Sequence, residues 1–210
     1  MKNKLLIAIL VVTIAPLTLF SQIDITPTYG YNFGAQTNSP YTSIKIKGAS
    51  TFGVNVDFHV DSETAVQFIY TYTTSRVTIN DYYNPGSSDF SNISENYYLL
   101  GGVRYFGRDN IQPYGSFNIG AAYYNLTNVD TYYSLNSTDA LRFAIGFGLG
   151  LKFMFTERIG LDLHVRCLAP LTFGGVGVGI GTGGANAGVY AGSNFISGDV
   201  GGGLVIRLGN

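Results

Sequence analysis

The sequence predicts an all-β chain, folded as an eight-stranded, antiparallel, up-and-down transmembrane β-barrel, and three observations carry that prediction. The first is the alternation over Leu141–Thr156, LRFAIGFGLGLKFMFT, in which Leu141, Phe143, Ile145, Phe147, Leu149, Leu151, Phe153 and Phe155 are all large and apolar. Between them stand Arg142, Ala144, Gly146, Gly148, Gly150, Lys152, Met154 and Thr156, a face made mostly of glycine. A period of two marks a β-strand. In a water-soluble protein the polar face of such a strand carries long hydrophilic side chains. A glycine face suits a cramped interior instead, and the aromatic-ended apolar face suits lipid. The second observation is a rhythm of long and short connections along the chain. The third is composition: charged residues make up 12% of the chain, against about 25% in an ordinary soluble domain. Among 210 residues there are also 28 glycines and 16 tyrosines.

A chain of this length is one domain, and a formal net charge of -1 without a basic cluster argues against nucleic acid as a partner. The N-terminal MKNKLLIAILVVTIAPLTLFSQ opens on Lys2 and Lys4 and continues as an apolar run from Leu5 to Phe20, broken at Pro16. That is the form of a secretory signal peptide over 1–21, with Ser21 the last residue removed, Gln22 the first retained and 22–210 the barrel domain. A transmembrane anchor competes with it, but the run is short for a bilayer and holds a proline. Leu19 is bulky where the cleavage pattern wants a small residue. No cysteine lies near enough to be lipidated. The single cysteine, Cys167, has no disulfide partner, falls on an apolar strand face and reads as inert.

The first strand, Ile23 to Phe33, sets Ile23, Ile25, Pro27, Tyr29, Tyr31 and Phe33 against Asp24, Thr26, Thr28, Gly30 and Asn32. Proline is tolerated near a strand start or at an unpaired position. The second, from about Ser43 to Val60, puts Ile44, Ile46, Phe52, Val54, Val56, Phe58 and Val60 opposite Lys45, Lys47, Gly53, Asn55, Asp57 and His59. The third, Thr64 to Val77, places Val66, Phe68, Tyr70 and Tyr72 outside, with Ile69 interrupting the polar side. The fourth, Glu95 to Phe106, gives Tyr97, Leu99, Gly101, Val103 and Tyr105 to lipid and Asn96, Tyr98, Leu100, Gly102 and Arg104 to the lumen. In the fifth, Ile111 to Leu126, Phe117, Ile119, Ala121 and Tyr123 oppose Gln112, Tyr114, Ser116, Asn118 and Gly120. Leu141–Thr156 is the sixth. The seventh, Ile159 to Leu168, turns Asp162, His164 and Arg166 inward, and the eighth, Phe195 to Leu208, does the same with Asp199 and Arg207.

The connections run long, short, long, short, long, short, long: 34–42, 61–63, 80–92, 107–110, 127–139, 156–158 and 169–193. Long ones therefore share one rim and tight turns the other, as in bacterial barrels with extracellular loops and periplasmic turns. Closing the sheet satisfies every backbone group in lipid. Val176, Val178 and Ile180 alternate with glycines inside the last connection, so ten strands stay open as an alternative to eight.

The signal ending in Ser21-Gln22, the Tyr97-Tyr98-Leu99-Leu100-Gly101-Gly102-Val103-Arg104-Tyr105-Phe106 strand and the alternating terminal strand resemble those of small OmpA/OmpX-like outer-membrane barrels of Gram-negative bacteria, of the porin-like sort common in Bacteroidota. The resemblance spans the mature chain at the level of pattern and brings no catalytic motif. It implies residence in the outer membrane, contact with outer-membrane lipid and delivery by the barrel-insertion machinery. One departure is the C-terminus: Leu208, followed by Gly209-Asn210, stands where such barrels carry a terminal aromatic.

Inward charges form the candidate site: Asp57, Arg104, Arg142, Lys152, Asp162, His164, Arg166, Asp199 and Arg207, with Asp24 and His59 beside them. An eight-stranded barrel is just wide enough for side chains to fill it, and unpaired buried charges are costly. A plug of ion pairs is the expected use, and a narrow ion or solute path is the sharper alternative. Asp162-x-His164-x-Arg166 lacks a nucleophile in register for hydrolysis, and two histidines without cysteine ligands make a poor metal centre. Gly179-Ile180-Gly181-Thr182-Gly183-Gly184 matches a nucleotide fingerprint in letters only, since it opens no helix. No cofactor is expected. Tyr82, Tyr83, Tyr132, Tyr133 and Tyr190 are loop aromatics that could stack on a sugar, while the outward Tyr29, Tyr31, Tyr72, Tyr97, Tyr105 and Tyr123 fit an interfacial belt. The expectation is a non-catalytic outer-membrane barrel with a structural or interaction role, for which another outer-membrane protein is a candidate partner. A pore and a soluble lipocalin-like lipid carrier are its alternatives.

Overall fold

A computed structural model describes residues 22–38, 42–81, 88–107, 110–127, 138–171, 175–181, 184–190 and 196–209. The segment read as a signal peptide, 1–21, lies outside them. The strands are β1 (Gln22–Asn32), β2 (Ala35–Asn38), β3 (Thr42–Ile46), β4 (Ala49–His59), β5 (Thr64–Asp81), β6 (Ser88–Tyr105), β7 (Ile111–Thr127), β8 (Thr138–Met154), β9 (Ile159–Leu171), β10 (Gly175–Gly181), β11 (Gly184–Tyr190) and β12 (Ser197–Gly209). Eight of them close a ring in the order β1, β4, β5, β6, β7, β8, β9, β12, each antiparallel to both neighbours. Among the described residues β10 and β11 pair only with each other, so the barrel has eight strands rather than ten.

The stagger can be read from the register. Stepping across partners from Gln22 through His59, Ala65, Val103, Ser116, Gly148, Arg166 and Asp199 returns to β1 at Asn32, ten residues further on. With about 3.3 Å per residue along a strand and about 4.8 Å between strands, this shear tilts the strands by about 40°. The short connections that follow β4, β6 and β8 share one rim with Gln22 and Gly209, which pair with each other. Asp61 closes the first turn by accepting hydrogen bonds from the backbone N–H groups of Glu63 and Thr64, both at 2.7 Å. Those bonds, Glu63's first, hold its carboxyl below the usual aspartate range.

Several strand readings need correction. The second predicted strand is two strands: β4 pairs Thr51 with Thr73, whereas β3 pairs Ile46 with Val77, a shift of one residue between them. One extra residue reverses which side chains face inward. Lys45 and Lys47 are accordingly exposed, not luminal. Gly48 sits at the break, where a Cβ would run into the Tyr31 hydroxyl and the backbone oxygen of Asn32. Much of the polar stretch 80–92 is strand rather than loop: β5 continues to Asp81 and β6 starts at Ser88, across an irregularity between Val77 and Thr78. Beyond the bilayer a strand needs no apolar face, so alternation fades there while pairing continues. β5 and β6 have 18 residues each, against the roughly 9–11 that cross a membrane. The excess rises on the long-connection side.

The fourth strand keeps its period and reverses its faces. Tyr97, Leu99, Val103 and Tyr105 are buried in the barrel, whereas Tyr98 and Leu100 point out. Arg104 is therefore outside. Elsewhere the inward and outward sets of β1, β7, β8, β9 and β12 are the expected ones. Leu149 is 70% exposed and Leu141 73%, while Asp162 and Asp199 are each 1% exposed. The outer surface is ringed near the long-connection rim by Tyr29, Tyr31, Phe33, Phe52, Tyr72 and Tyr98, and near the short-turn rim by Phe106 and Phe155.

Candidate functional site: the charged lumen

Tilt and stagger bring side chains from distant parts of the chain to one level inside the barrel. At the short-turn end Lys152 reaches across from β8, its Nζ donating to Asp24 Oδ2 at 3.0 Å, to Asp57 Oδ2 at 2.6 Å and to the Tyr105 hydroxyl at 2.8 Å. The same ammonium lies 5.0 Å from the Tyr105 ring centroid. Asp24 also accepts from Arg207 through Nε at 2.8 Å and Nη2 at 3.0 Å, a two-pronged contact, and lies 3.1 Å from His59 Nε2. His59 stacks on Tyr105 with ring centroids 5.3 Å apart. Asp57 takes two further hydrogen bonds, from Gln67 at 2.8 Å and Tyr105 at 2.9 Å. Every carboxylate oxygen here faces a donor, which is what keeps buried charge tolerable.

A second cluster sits higher. Tyr114 donates to Asp162 Oδ1 at 2.8 Å, and Asp162 Oδ2 lies 2.7 Å from His164 Nδ1. Arg166 donates through Nε to Asp199 at 3.0 Å and through Nη1 to Asn55 at 3.3 Å. His164 Nε2 is 3.7 Å from Asp199 and has no hydrogen-bond partner among the described residues, as is also true of Thr26 Oγ1 and Asn118 Oδ1 in the same interior. Buried polar atoms of this kind are the usual seats of ordered water. Above this level the packing turns apolar: Ile69, Tyr97, Leu99, Ala122, Ala144 and Leu168 form one cluster, capped by the Tyr97–Tyr124 hydroxyl pair at 2.7 Å.

Of the candidate residues, Asp57, Lys152, Asp162, His164, Arg166, Asp199 and Arg207 meet in these two clusters. Arg142 is half-buried near the long-connection rim, its guanidinium 5.9 Å from the Tyr124 ring centroid. Arg104 is not part of the lumen: it lies on the outer face and pairs with Glu63 at 3.0 Å. Its long side chain carries the charge to the turn. The loop aromatics Tyr82, Tyr83, Tyr132 and Tyr133 fall outside the described residues, and Tyr190 is the last residue of β11, opposite Gly175. Tyr105 and Tyr114 are the functional side chains whose role the sequence hid. They are cross-strand partners on β6 and β7, so they must share a face, and Tyr114 already reads as inward. The register of that hairpin was the signal.

Among the described residues no group of three His, Cys, Asp or Glu side chains is placed to hold a metal ion. Among the described residues, the contacts of Asp162, His164 and Asp199 run to Tyr114, to Arg166 and to one another.

No family model matches the chain, and no curated protein is significantly similar to it in sequence. Solved structures do match. The outer membrane protein OprG from Pseudomonas aeruginosa superposes with a TM-score of 0.60 at 11% identity, over 91% of this chain and 97% of that one. Neisserial surface protein A does so at 0.57 and 11% identity, over 90% and 97%. The outer membrane protein AlkL, solved in DMPC bilayers, gives 0.51 and 13%, over 91% of each chain. At such identities the likeness is one of fold, and the fold is that of small outer-membrane barrels.

Proposed function

We propose that this chain is an integral, non-catalytic protein of the bacterial outer membrane, its lumen filled by its own side chains, with a structural or interaction role exercised at the long-connection rim. The observation that carries the reading is the inversion of an ordinary globular protein. Aspartates and a lysine lie fully buried, while leucines, phenylalanines and other large apolar side chains stand exposed on the outer face of every barrel strand. A soluble lipid carrier needs the reverse, an apolar interior and a hydrophilic exterior. Only hydrocarbon can cover such a surface at low cost. In this reading residues 1–21 direct export and the insertion machinery assembles the barrel.

The plugged lumen draws its support from two layers in series. Lys152, bridging Asp24 and Asp57, closes the short-turn end, and the Ile69, Leu99 and Leu168 layer closes the barrel above the second ionic cluster. Two measurements test the proposal. The folded protein should require detergent and should shift its gel mobility on boiling; solubility without detergent refutes the membrane reading. Reconstituted in a planar bilayer, it should pass no discrete current, and reproducible single-channel steps would replace the plug with a pore.

A further inference from the structure

One stretch of the outer wall is hollow. Across β6, β7, β8 and β9 runs a groove of about 750 Å³. The register defines its course: Arg104, Gly115, Leu149 and Val165 are successive cross-strand partners, and Gly102, Phe117 and Phe147 form the row above. The two glycines make its floor. A Cβ at Gly102 would meet nothing within 4 Å, and one at Gly115 would meet Leu149 Cδ2 at an ordinary 3.6 Å. Neither glycine has the positive φ found at Gly34 and Gly209. The fold therefore has room for side chains that the sequence leaves out. Phe117 and Phe147, with ring centroids 5.0 Å apart, form the upper wall.

The lower end of this apolar groove is marked by charge. Arg104 keeps 62% of its side chain exposed, and among the described residues its hydrogen bond is a single one, from Nη2 to Glu63 at 3.0 Å. A guanidinium has five N–H donors, so most of them face outward. Arg104 sits beside Phe106, in the aromatic ring of the short-turn rim. Because the ring is staggered, stepping across partners from β6 to β9 also climbs toward the opposite rim. Three strand spacings make this path about 14 Å long. It leads from the membrane surface into the hydrocarbon.

We propose that the groove binds a glycerophospholipid of the leaflet at the short-turn rim, with the phosphate on Arg104 and an acyl chain along the Gly102–Gly115 floor. Guanidinium and phosphate are complementary in charge and in hydrogen-bond geometry. A second copy of the chain fits worse, because a two-fold contact on this face would bring two Arg104 side chains together at one level. The inference rests on the membrane reading above, yet it fails separately from it. Solubility without detergent sinks the membrane reading, whereas the comparison below is made among proteins already folded in detergent.

The test is native mass spectrometry of the full chain with added dipalmitoyl phosphatidylglycerol or, as a phosphate-free control, dipalmitoylglycerol. It compares the wild type with Arg104→Gln and with Gly102→Leu/Gly115→Leu, folding being checked by the gel shift. The wild type should hold the phospholipid about tenfold more tightly than the control, and each variant should lose about that factor, the worth of one charged contact or of the filled floor. Equal binding by the groove-filled variant overturns the site. Equal binding of the two lipids overturns the role of Arg104. Dimers that vanish on filling the groove would give the surface to a second copy and refute the lipid.

Discussion

Replacing Lys152 by methionine removes the cation that bridges Asp24 and Asp57 in the lower lumen, and the consequence can be worked from its partners. Asp24 keeps the two-pronged Arg207 contact at 2.8 and 3.0 Å and its 3.1 Å neighbour His59. Asp57 is left worse off. It retains only the neutral donors Gln67 and Tyr105, at 2.8 and 2.9 Å, and loses the ammonium at 2.6 Å. A buried carboxylate stripped of its counter-charge typically costs about 3–5 kcal/mol, so Lys152→Met should lower unfolding free energy by that amount. Adding Asp57→Asn removes the stranded charge, and the double variant should recover all but about 1–2 kcal/mol, since replacing both partners of an ion pair is often nearly neutral. The assay is equilibrium urea unfolding of the protein in lipid vesicles, followed by far-UV circular dichroism and by the fraction of heat-shifted band. The double-mutant cycle then gives the coupling. A loss below about 1 kcal/mol for Lys152→Met, or no recovery on adding Asp57→Asn, would show that water rather than Lys152 neutralises Asp57, and the closed lower lumen would fall with it.

Adjacent glycines should behave in opposite ways. Gly101→Ala drives a Cβ into the backbone oxygen of Phe117 and should abolish the folded gel band, whereas Gly102→Ala, which meets open space, should leave it unchanged. Leu149→Arg, at an outward position that is 70% exposed, should destabilise the barrel in vesicles by about 2–4 kcal/mol if it lies at mid-bilayer. In a soluble protein an exposed substitution of this kind stays within about 0.5 kcal/mol, so a neutral result in the urea titration would count against lipid. At the short-turn rim, the Asp61 carboxyl is held low by the Glu63 and Thr64 N–H groups. Its contribution is complete above the usual aspartate pKa of about 3.9 and fades as pH falls through the lower folded value. Asp61→Asn should therefore flatten the acid side of the stability profile, and an unchanged profile would exclude the turn as its source.

The sequence was legible wherever the two faces of a strand differ in kind. β8, β9 and β12 set leucines and phenylalanines against glycines and charges, and their facing follows from that alone. β6 has large apolar residues on both faces, with Tyr97, Leu99 and Tyr105 against Tyr98 and Leu100, so its period is visible and its orientation is not. The same even-numbered parity runs through Ile44, Ile46, Phe52 and Val54, which hides the one-residue slip at 47–48 that turns Lys45 and Lys47 outward. In the lumen, Asp162, His164 and Arg166 share a face by spacing. The bond from Lys152 to Asp24 joins residues 128 apart. Such a partner is set by barrel tilt, which emerges from the whole register and from no single strand.

The glycine face that first marks β8 as unusual takes its meaning from what fills the barrel opposite it. A Cβ on Gly150 would overlap the Tyr114 ring, one on Gly148 would lie 2.6 Å from Ser116 Oγ and 3.5 Å from Arg166 Cγ, and one on Gly146 would press on Leu99 and Leu168 at 3.0 and 3.2 Å. Each glycine is the volume complement of a bulky inward side chain on a neighbouring strand, from the ionic cluster up to the apolar layer. Had these glycines served to widen a channel, the space beside them would be open, as it is at Gly102 on the outer wall. It is occupied instead by the tyrosine that holds Asp162 and the arginine that holds Asp199. The small residues of β8 thus make room for these inward side chains, and the glycine content that argues for a barrel also supports the proposed plug.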